Sequence, residues 1–397
     1  MPEILDSPAP TGASRSTHPR QRLLERSTRS ARPTHSKGIK VKSKKAVALC
    51  ATLGLTLAGL AVAIPAQADV VSNSYVLVGS DTLQDSANAL ANGTGITGSS
   101  VRVTAAGNSI GSFDATGSAA IQTKSGGAYF SRPSGSGDGV TALLASINGT
   151  AYTNNNGTPA ATVSGLIDIA RSSSAPTQSN TGLVQYFPYG RDALSYAYKG
   201  GTGLGEISAA NLKLLYSCDA ATLSAFGNVT PVLPQATSGT RKFFLTAIGN
   251  PTVGSCVLQN EVIENDGSVL ANNQLIPFSV ASWVAQKSGA AQDRTSTATL
   301  GSAIPGTAPF AGTGSATVPN AAYYSNATFG RDTYVVVEFA RVDPTNPKFD
   351  QALADLVDRT KPKSLTNFSV GSSTSGAVKT KFGFLAPSST NAIRASK

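Results

Sequence analysis

The feature that most limits how this chain can fold is a repeated unit. A short apolar strand ends in a turn of Gly, Ser and Thr, and a helical segment follows. Ser74-Tyr75-Val76-Leu77-Val78 reads as a buried strand, ends in Gly79-Ser80-Asp81-Thr82, and gives way to a helix over 83–90. The run Gly165-Leu166-Ile167-Asp168-Ile169-Ala170 ends in Arg171-Ser172-Ser173-Ser174-Ala175-Pro176. A strand over 231–233 leads to Ser238-Gly239-Thr240-Arg241, where a helix over 241–248 begins. Pro133-Ser134-Gly135-Ser136-Gly137 precedes a fourth helical stretch over 140–147. Strands alternating with helices predict an α/β chain with mostly parallel sheets.

Such turns also carry chemistry. The first backbone N–H groups of a helix lack intrahelical partners, and the helix dipole adds partial positive charge there. Hydroxyls add donors, and an arginine adds a planar charged fork suited to oxyanions. One turn of this kind is an ordinary helix cap. Four turns gathered at the carboxyl ends of strands would surround one small anion with donors.

The first 68 residues follow a different order. Eleven basic residues, Arg15 to Lys45, precede an uncharged apolar run over 46–64, and Ala66-Gln67-Ala68 follows. This is the order of a secretory signal peptide with a small-x-small cleavage site. Its removal changes the charge balance. The whole chain has 32 basic and 22 acidic residues; subtracting 11 and 3 leaves 21 and 19, a net of +2. The alkaline balance therefore gives no support to nucleic-acid binding. Both histidines, His18 and His35, lie in the same segment, so residues 69–397 hold no Ser-His-Asp triad and no histidine metal ligand. Cys218 and Cys256 remain, and in an exported chain an even pair is expected to form a disulfide.

Tyr189-Gly190-Arg191-Asp192 is echoed by Phe329-Gly330-Arg331-Asp332, each followed by an alternating strand. The echo reads as two equivalent crossovers between two lobes. The expected organisation is a signal peptide over 1–68, one lobe from 69–190 and 331–397, and a second lobe over 191–330. Further elements are expected as a strand over 100–104, a Gly- and Ser-rich loop over 105–128, a helix or loop over 260–267, and an amphipathic helix over 349–360.

The four turns resemble those of the phosphate-binding receptors of ABC transporters, a family of periplasmic solute-binding proteins. Ser238-Gly239-Thr240-Arg241 with its phenylalanines is similar to the family's SGT(R)xxF element. Gly79-Ser80-Asp81-Thr82-Leu83 is similar to its first ligand loop, Ser136 matches the serine of its second, and residues 167–176 resemble its DFxxSDxP element. The resemblance implies a two-lobe type 2 periplasmic-binding fold, with two crossovers, that closes on phosphate or a similar oxyanion. It implies an ABC permease as partner, a secreted monomer, and neither enzymatic activity nor a cofactor. The residues implied are Ser80, Asp81, Thr82, Ser134, Ser136, Arg171, Ser173, Ser238, Gly239, Thr240 and Arg241. Two positions depart from the family pattern. Ser174 stands where an aspartate accepts the proton of hydrogen phosphate, and Pro234 stands where an arginine is frequent. Arg241, Arg171 or Arg132 is expected to replace the charge, and Asp81 or Asp138 the acceptor. The alternative is a secreted surface or matrix protein that keeps the fold without binding an oxyanion. A hydrolase is disfavoured, because no S-x-x-K motif opens a helix near these turns.

Overall fold

The computed structural model describes residues 74–174 and 176–397, excluding the side chains of Asn260 and Glu261. The expected signal peptide, its cleavage site and both histidines lie outside the described residues. The chain is mixed α/β. Ten strands form one sheet: β1 (Val76–Gly79), β2 (Gly111–Ser112), β3 (Ile169–Ser172), β4 (Val184–Lys199), β5 (Thr230–Pro234), β6 (Leu258–Val262), β7 (Gln274–Ser279), β8 (Thr299–Gly301), β9 (Gly330–Glu338) and β10 (Ile393–Ala395). Along the sheet the order is β6-β5-β7-β4-β9-β3-β1-β2, with β8 and β10 also pairing with β4.

Parallel pairing is confined to the two wings. β1 runs parallel to β2 and β3, and β5 runs parallel to β6 and β7. The middle is antiparallel, because β4 opposes β7 on one side and β9 on the other. The two Gly-Arg-Asp segments sit in this middle and pair with each other, Arg331 opposite Asp192 and Asp332 opposite Arg191. Successive strand residues face opposite sides, so the two Arg–Asp couples lie on opposite faces of the sheet. Pro188 lacks a backbone N–H, and the register slips beside it, leaving Tyr189 as an extra residue on β4.

Burial divides at the same place. The buried residues of one apolar core all lie between Ala193 and Phe329, including Leu194, Tyr196, Leu212, Phe244, Phe278 and Trp283, with Leu385 packed against it. The other wing has a core on each face. β1 places Leu77 in one, with Ile169, Val335 and Leu353, and places Val76 and Val78 in the other, with Phe113, Leu143 and Val336. A strand covered on both faces needs a continuous apolar run, which Val76-Leu77-Val78 supplies. Each such side chain contributes about 1.5–3 kcal/mol by leaving water.

The expected helices form, two of them opening earlier than expected, at Ser136 instead of 140 and at Gly239 instead of 241. The main ones are α1 (Gln84–Asn92), α2 (Ser136–Asn148), α3 (Ala209–Tyr216), α4 (Gly239–Ala247) and α5 (Val280–Lys287). Ser208, Ser238 and Ser279 cap α3, α4 and α5 by accepting from the backbone N–H three residues on. Cys218 and Cys256 form a disulfide with Cα atoms 5.9 Å apart.

Four local expectations fail in whole or in part. Residues 100–104 form no ladder strand. Val101 makes an isolated bridge to Thr94, and Val101 and Val103 are buried in the core that α1 covers, so their alternation reports packing rather than pairing. The loop over 105–128 contains the strand β2 and the short strand Ala120–Ile121. Residues 258–262 are strand β6, where helix or loop was expected at 260–267. The helix expected over 349–360 is shorter, Gln351–Leu356, capped by Asp350. No helix among the described residues is long and apolar enough to cross a membrane.

Candidate functional site

The turns after β1, β3 and β5 and the start of α2 meet at one buried point. β1 and β3 are adjacent and parallel, so their carboxyl ends set Ser80 beside Ser173, with the hydroxyls 3.2 Å apart. Ser136, the first residue of α2, places its Oγ 3.1 Å from Ser173 Oγ and accepts the Ser173 N–H at 2.9 Å. From the other wing, Thr240 in the first turn of α4 comes within 3.4 Å of Thr82. Ser80, Thr82, Ser136, Ser173 and Thr240 are each no more than 4% exposed.

Gly239 makes this approach possible. A Cβ there would overlap Ser136 Oγ and lie 2.5 Å from Ser173 Oγ and 2.9 Å from Ser174 Oγ. Backbone contacts close the same seam, Gly137 N–H donating to Thr237 O and Gln235 Nε2 to Ser134 O.

The charge at this point is Arg331, on β9. Its Nε and Nη2 donate to Asp192 Oδ2 at 3.1 and 2.9 Å, Nη1 to Ser173 O at 3.2 Å, and Nη2 also to Thr240 and Thr82 hydroxyls at 3.1 and 3.3 Å. Phe243, in the second turn of α4, lies over the guanidinium at 5.6 Å. Asp192 is fully buried. Its Oδ1 accepts from Ser279 Oγ and Ala281 N–H at the start of α5, so four donors hold it. Buried charges persist when paired and hydrogen-bonded in this way.

A second acidic feature adjoins the hydroxyls. Asp81 and Glu264 approach each other across the seam, one from each wing. Asp81 Oδ1 and both Glu264 carboxyl oxygens are sealed from solvent, and none makes a well-formed hydrogen bond to a donor among the described residues. Asp81 Oδ2 accepts from Asn265 Nδ2 at 3.0 Å. Burial, and then the neighbouring Glu264 charge, push the Asp81 pKa well above the ordinary carboxyl range. Burial also raises Glu264, partly offset by the Thr240 hydroxyl and the Arg331 charge. Both shifts favour the protonated carboxyl over the charged one.

The expected residues divide into two groups. Ser80, Thr82, Ser136, Ser173, Gly239 and Thr240 come together, and Asp81 adjoins them. Ser238 is buried and caps α4, its Oγ accepting Arg241 N–H at 2.9 Å. Ser134 donates to Asp138 instead of joining the group. Arg241 sends its fork to Pro234 O and Gln259 Oε1, away from the hydroxyls. Arg171 is fully buried behind the first turn, donating to the carbonyls of Gly79, Ser80 and Phe113 and to Ser112 Oγ. It shapes the turn from behind. Arg132 is bound to Asp114 O and Ser118. Asp138 Oδ2 is taken up by Ser134, Asn154 and Thr237. Thus neither the expected cations nor Asp138 reaches the cluster. Arg331, Asp192 and Glu264 do, and none was among the residues read from the four turns. The aromatic-Gly-Arg-Asp echo marked two of them.

No protein-family model matches the sequence, and no curated protein matches it. Similar solved structures include an ABC-type phosphate transport receptor from Vibrio cholerae, at 13% identity over 79% of this chain and 100% of that one, with a TM-score of 0.47. A phosphate-binding protein from Stenotrophomonas maltophilia matches at 11% identity over 80% and 91%, with a TM-score of 0.44. PstS from Borrelia burgdorferi matches at 13% identity over 79% and 99%, with a TM-score of 0.40. These are distant likenesses. What the cleft can hold follows from its own side chains.

Proposed function

We propose that this chain is a secreted solute-binding protein that closes on a small oxyanion, phosphate or a close relative, for ABC-type uptake. One observation carries the reading. Five buried hydroxyls from four separate turns converge on one point beside a buried arginine, and Gly239 lets them approach. Donors fixed on the ends of strands and helices suit an anion that must be stripped of water. Ser80, Thr82, Ser136, Ser173 and Thr240 donate, and Arg331 supplies charge with Asp192 fixing its fork. The Asp81–Glu264 pair takes the acceptor role left open by Ser174, so the preferred ligand carries a proton of its own. Binding is closure of two lobes, 69–190 with 331–397 against 191–330, without covalent chemistry. The protein acts as a monomer that delivers the anion to a permease.

Calorimetric titration of residues 69–397 with phosphate, sulfate and molybdate at two pH values tests this. Phosphate binding at micromolar or better, weakened about 100-fold or more by Thr240→Val, is the expected result. Tighter binding of sulfate than of phosphate would remove the proton-acceptor role from Asp81 and Glu264.

The second reading, a secreted surface protein that keeps the fold without a ligand, also has an observation in its favour. Arg331 is already neutralised by Asp192, and the hydroxyls contact one another. That reading predicts no heat with any oxyanion from a folded sample.

A further inference from the structure

The seam does not end at the hydroxyl cluster. Ser136 and Ser238 also line a neighbouring pocket of about 300 Å³ that lies between the same two wings. Ser172, Ser174, Thr237, Lys242 and Lys397 are among the residues that line it. No acidic side chain lines it. The nearby carboxylate, Asp138, is held by Ser134, Asn154 and Thr237. Lys242 is exposed, on α4, and no ion pair among the described residues involves it. Lys397 is positioned by backbone pairing of its segment with Thr177.

Ser174 joins the two spaces. Its hydroxyl, like those of Ser136 and Ser173, abuts the Cα of Gly239, and it also lines the pocket. A carboxylate at this position would line the same pocket as Lys242 and repel any second anion. Serine leaves the pocket rich in donors beside the Lys242 ammonium, a place where negative charge is favoured.

We infer that the ligand of this protein carries two anionic groups a short link apart, one seated on the hydroxyl cluster and the second in the Lys242 pocket. The class is a diphosphate or a phosphate ester with a second acidic group. The inference rests on the oxyanion reading and extends it. In the closed protein the pocket gives room for the second group, so closure need not exclude it. The lysines recognise it as point charges near water, which makes the preference for a doubly anionic ligand sensitive to salt.

The experiment is calorimetry on residues 69–397 with pyrophosphate, glycerol 3-phosphate and inorganic phosphate, at low and high salt. Pyrophosphate is expected to bind about tenfold tighter than phosphate at low salt. Lys242→Gln is expected to lower the pyrophosphate-to-phosphate affinity ratio about threefold, and Lys397→Gln by less, as fits charge pairs near solvent. Both side chains are exposed, so both variants fold. Phosphate binding without pyrophosphate binding overturns the inference and leaves the oxyanion reading standing. The same holds for a ratio that neither lysine variant moves, or a ratio that salt does not alter. Failure of all three ligands to bind a folded sample removes both readings together.

Discussion

Arg191 and Arg331 stand in the same local sequence, aromatic-Gly-Arg-Asp, on strands that pair with each other, yet they meet different surroundings. The Arg331–Asp192 couple faces the seam between the wings and is 2% and 0% exposed. The Arg191–Asp332 couple faces the other side of the sheet and is 16% and 8% exposed. Arg191 Nε donates to Tyr324 O, while Asp332 accepts from Ser388 N–H and Oγ. Asp192 instead anchors the start of α5, and Arg331 reaches the hydroxyls of Thr82 and Thr240 and the carbonyl of Ser173. Strand alternation alone sends one arginine to the cluster and the other to a peripheral strap. Local sequence therefore sets which residues lie on the paired middle strands, and the pleat decides which of them faces the hydroxyl cluster.

Breaking the two couples one residue at a time gives the largest contrast. Arg331→Met leaves Asp192 buried without its charge partner, and urea unfolding is expected to show a loss of about 3–5 kcal/mol. Arg191→Met leaves Asp332 with its Ser388 donors and is expected to cost about 1 kcal/mol or less. Equal losses would mean that the face of the sheet does not matter.

Removing both partners of the inner couple sharpens the point. Arg331→Met combined with Asp192→Leu is expected to recover about 2 kcal/mol of the single-variant loss, because no orphan charge remains. A double variant as unstable as the sum of the singles would show that packing, not charge, holds the inner couple.

The acid pair beside the inner couple gives a pH signature. Asp81 is raised above its ordinary value in the folded protein, by burial and by Glu264. Its contribution is fully present below the ordinary carboxyl pKa of 3.8. As pH rises the unfolded chain releases its proton first, so stability falls progressively until the folded pKa is passed. Asp81→Asn is expected to flatten this fall and to leave Arg191→Met unaffected in its own pH profile. Chemical denaturation at intervals from acid to mildly alkaline pH would show the slope, and an unchanged slope in Asp81→Asn would remove the pair as its source.

The smallest expected difference is in salt. A double-mutant cycle on Arg191 and Asp332 should lose a few tenths of a kcal/mol of coupling between low and high ionic strength, whereas the inner couple should hardly move.

Much of the framework was legible because it follows from short-range rules. Val76-Leu77-Val78 announces a buried strand, and Ser238 announces a helix start. The cluster was legible in part, since hydroxyls at strand ends converge whenever the strands are parallel neighbours. The charge was not. Arg241 follows Ser238-Gly239-Thr240 directly, and this suggested that it serves the turn. On a helix, however, its direction from Thr240 turns it outward to Pro234 O and Gln259. Arg171 sits on a strand whose next residue but one, Ser173, reaches the cluster, yet its long side chain runs back beneath the first turn. Glu264 lies in a loop with no recognisable pattern, and only the fold brings it against Asp81. Val101 and Val103 mimicked a strand because burial against one surface produces the same alternation as pairing.

Gly239 has a consequence for how this molecule could be held in one state. Its Cα is where hydroxyls of the facing wing come to rest, and there is no space for one more carbon. A methyl group there would act as a doorstop. The 193–329 core is distinct from the core of Leu77, into which Ala281 and Ala285 of α5 also pack, and Gly239→Ala is expected to leave both folded while holding the wings apart at this point. Small-angle scattering would report the protein as permanently ajar, a form in which the first half of the cleft could be studied without the second.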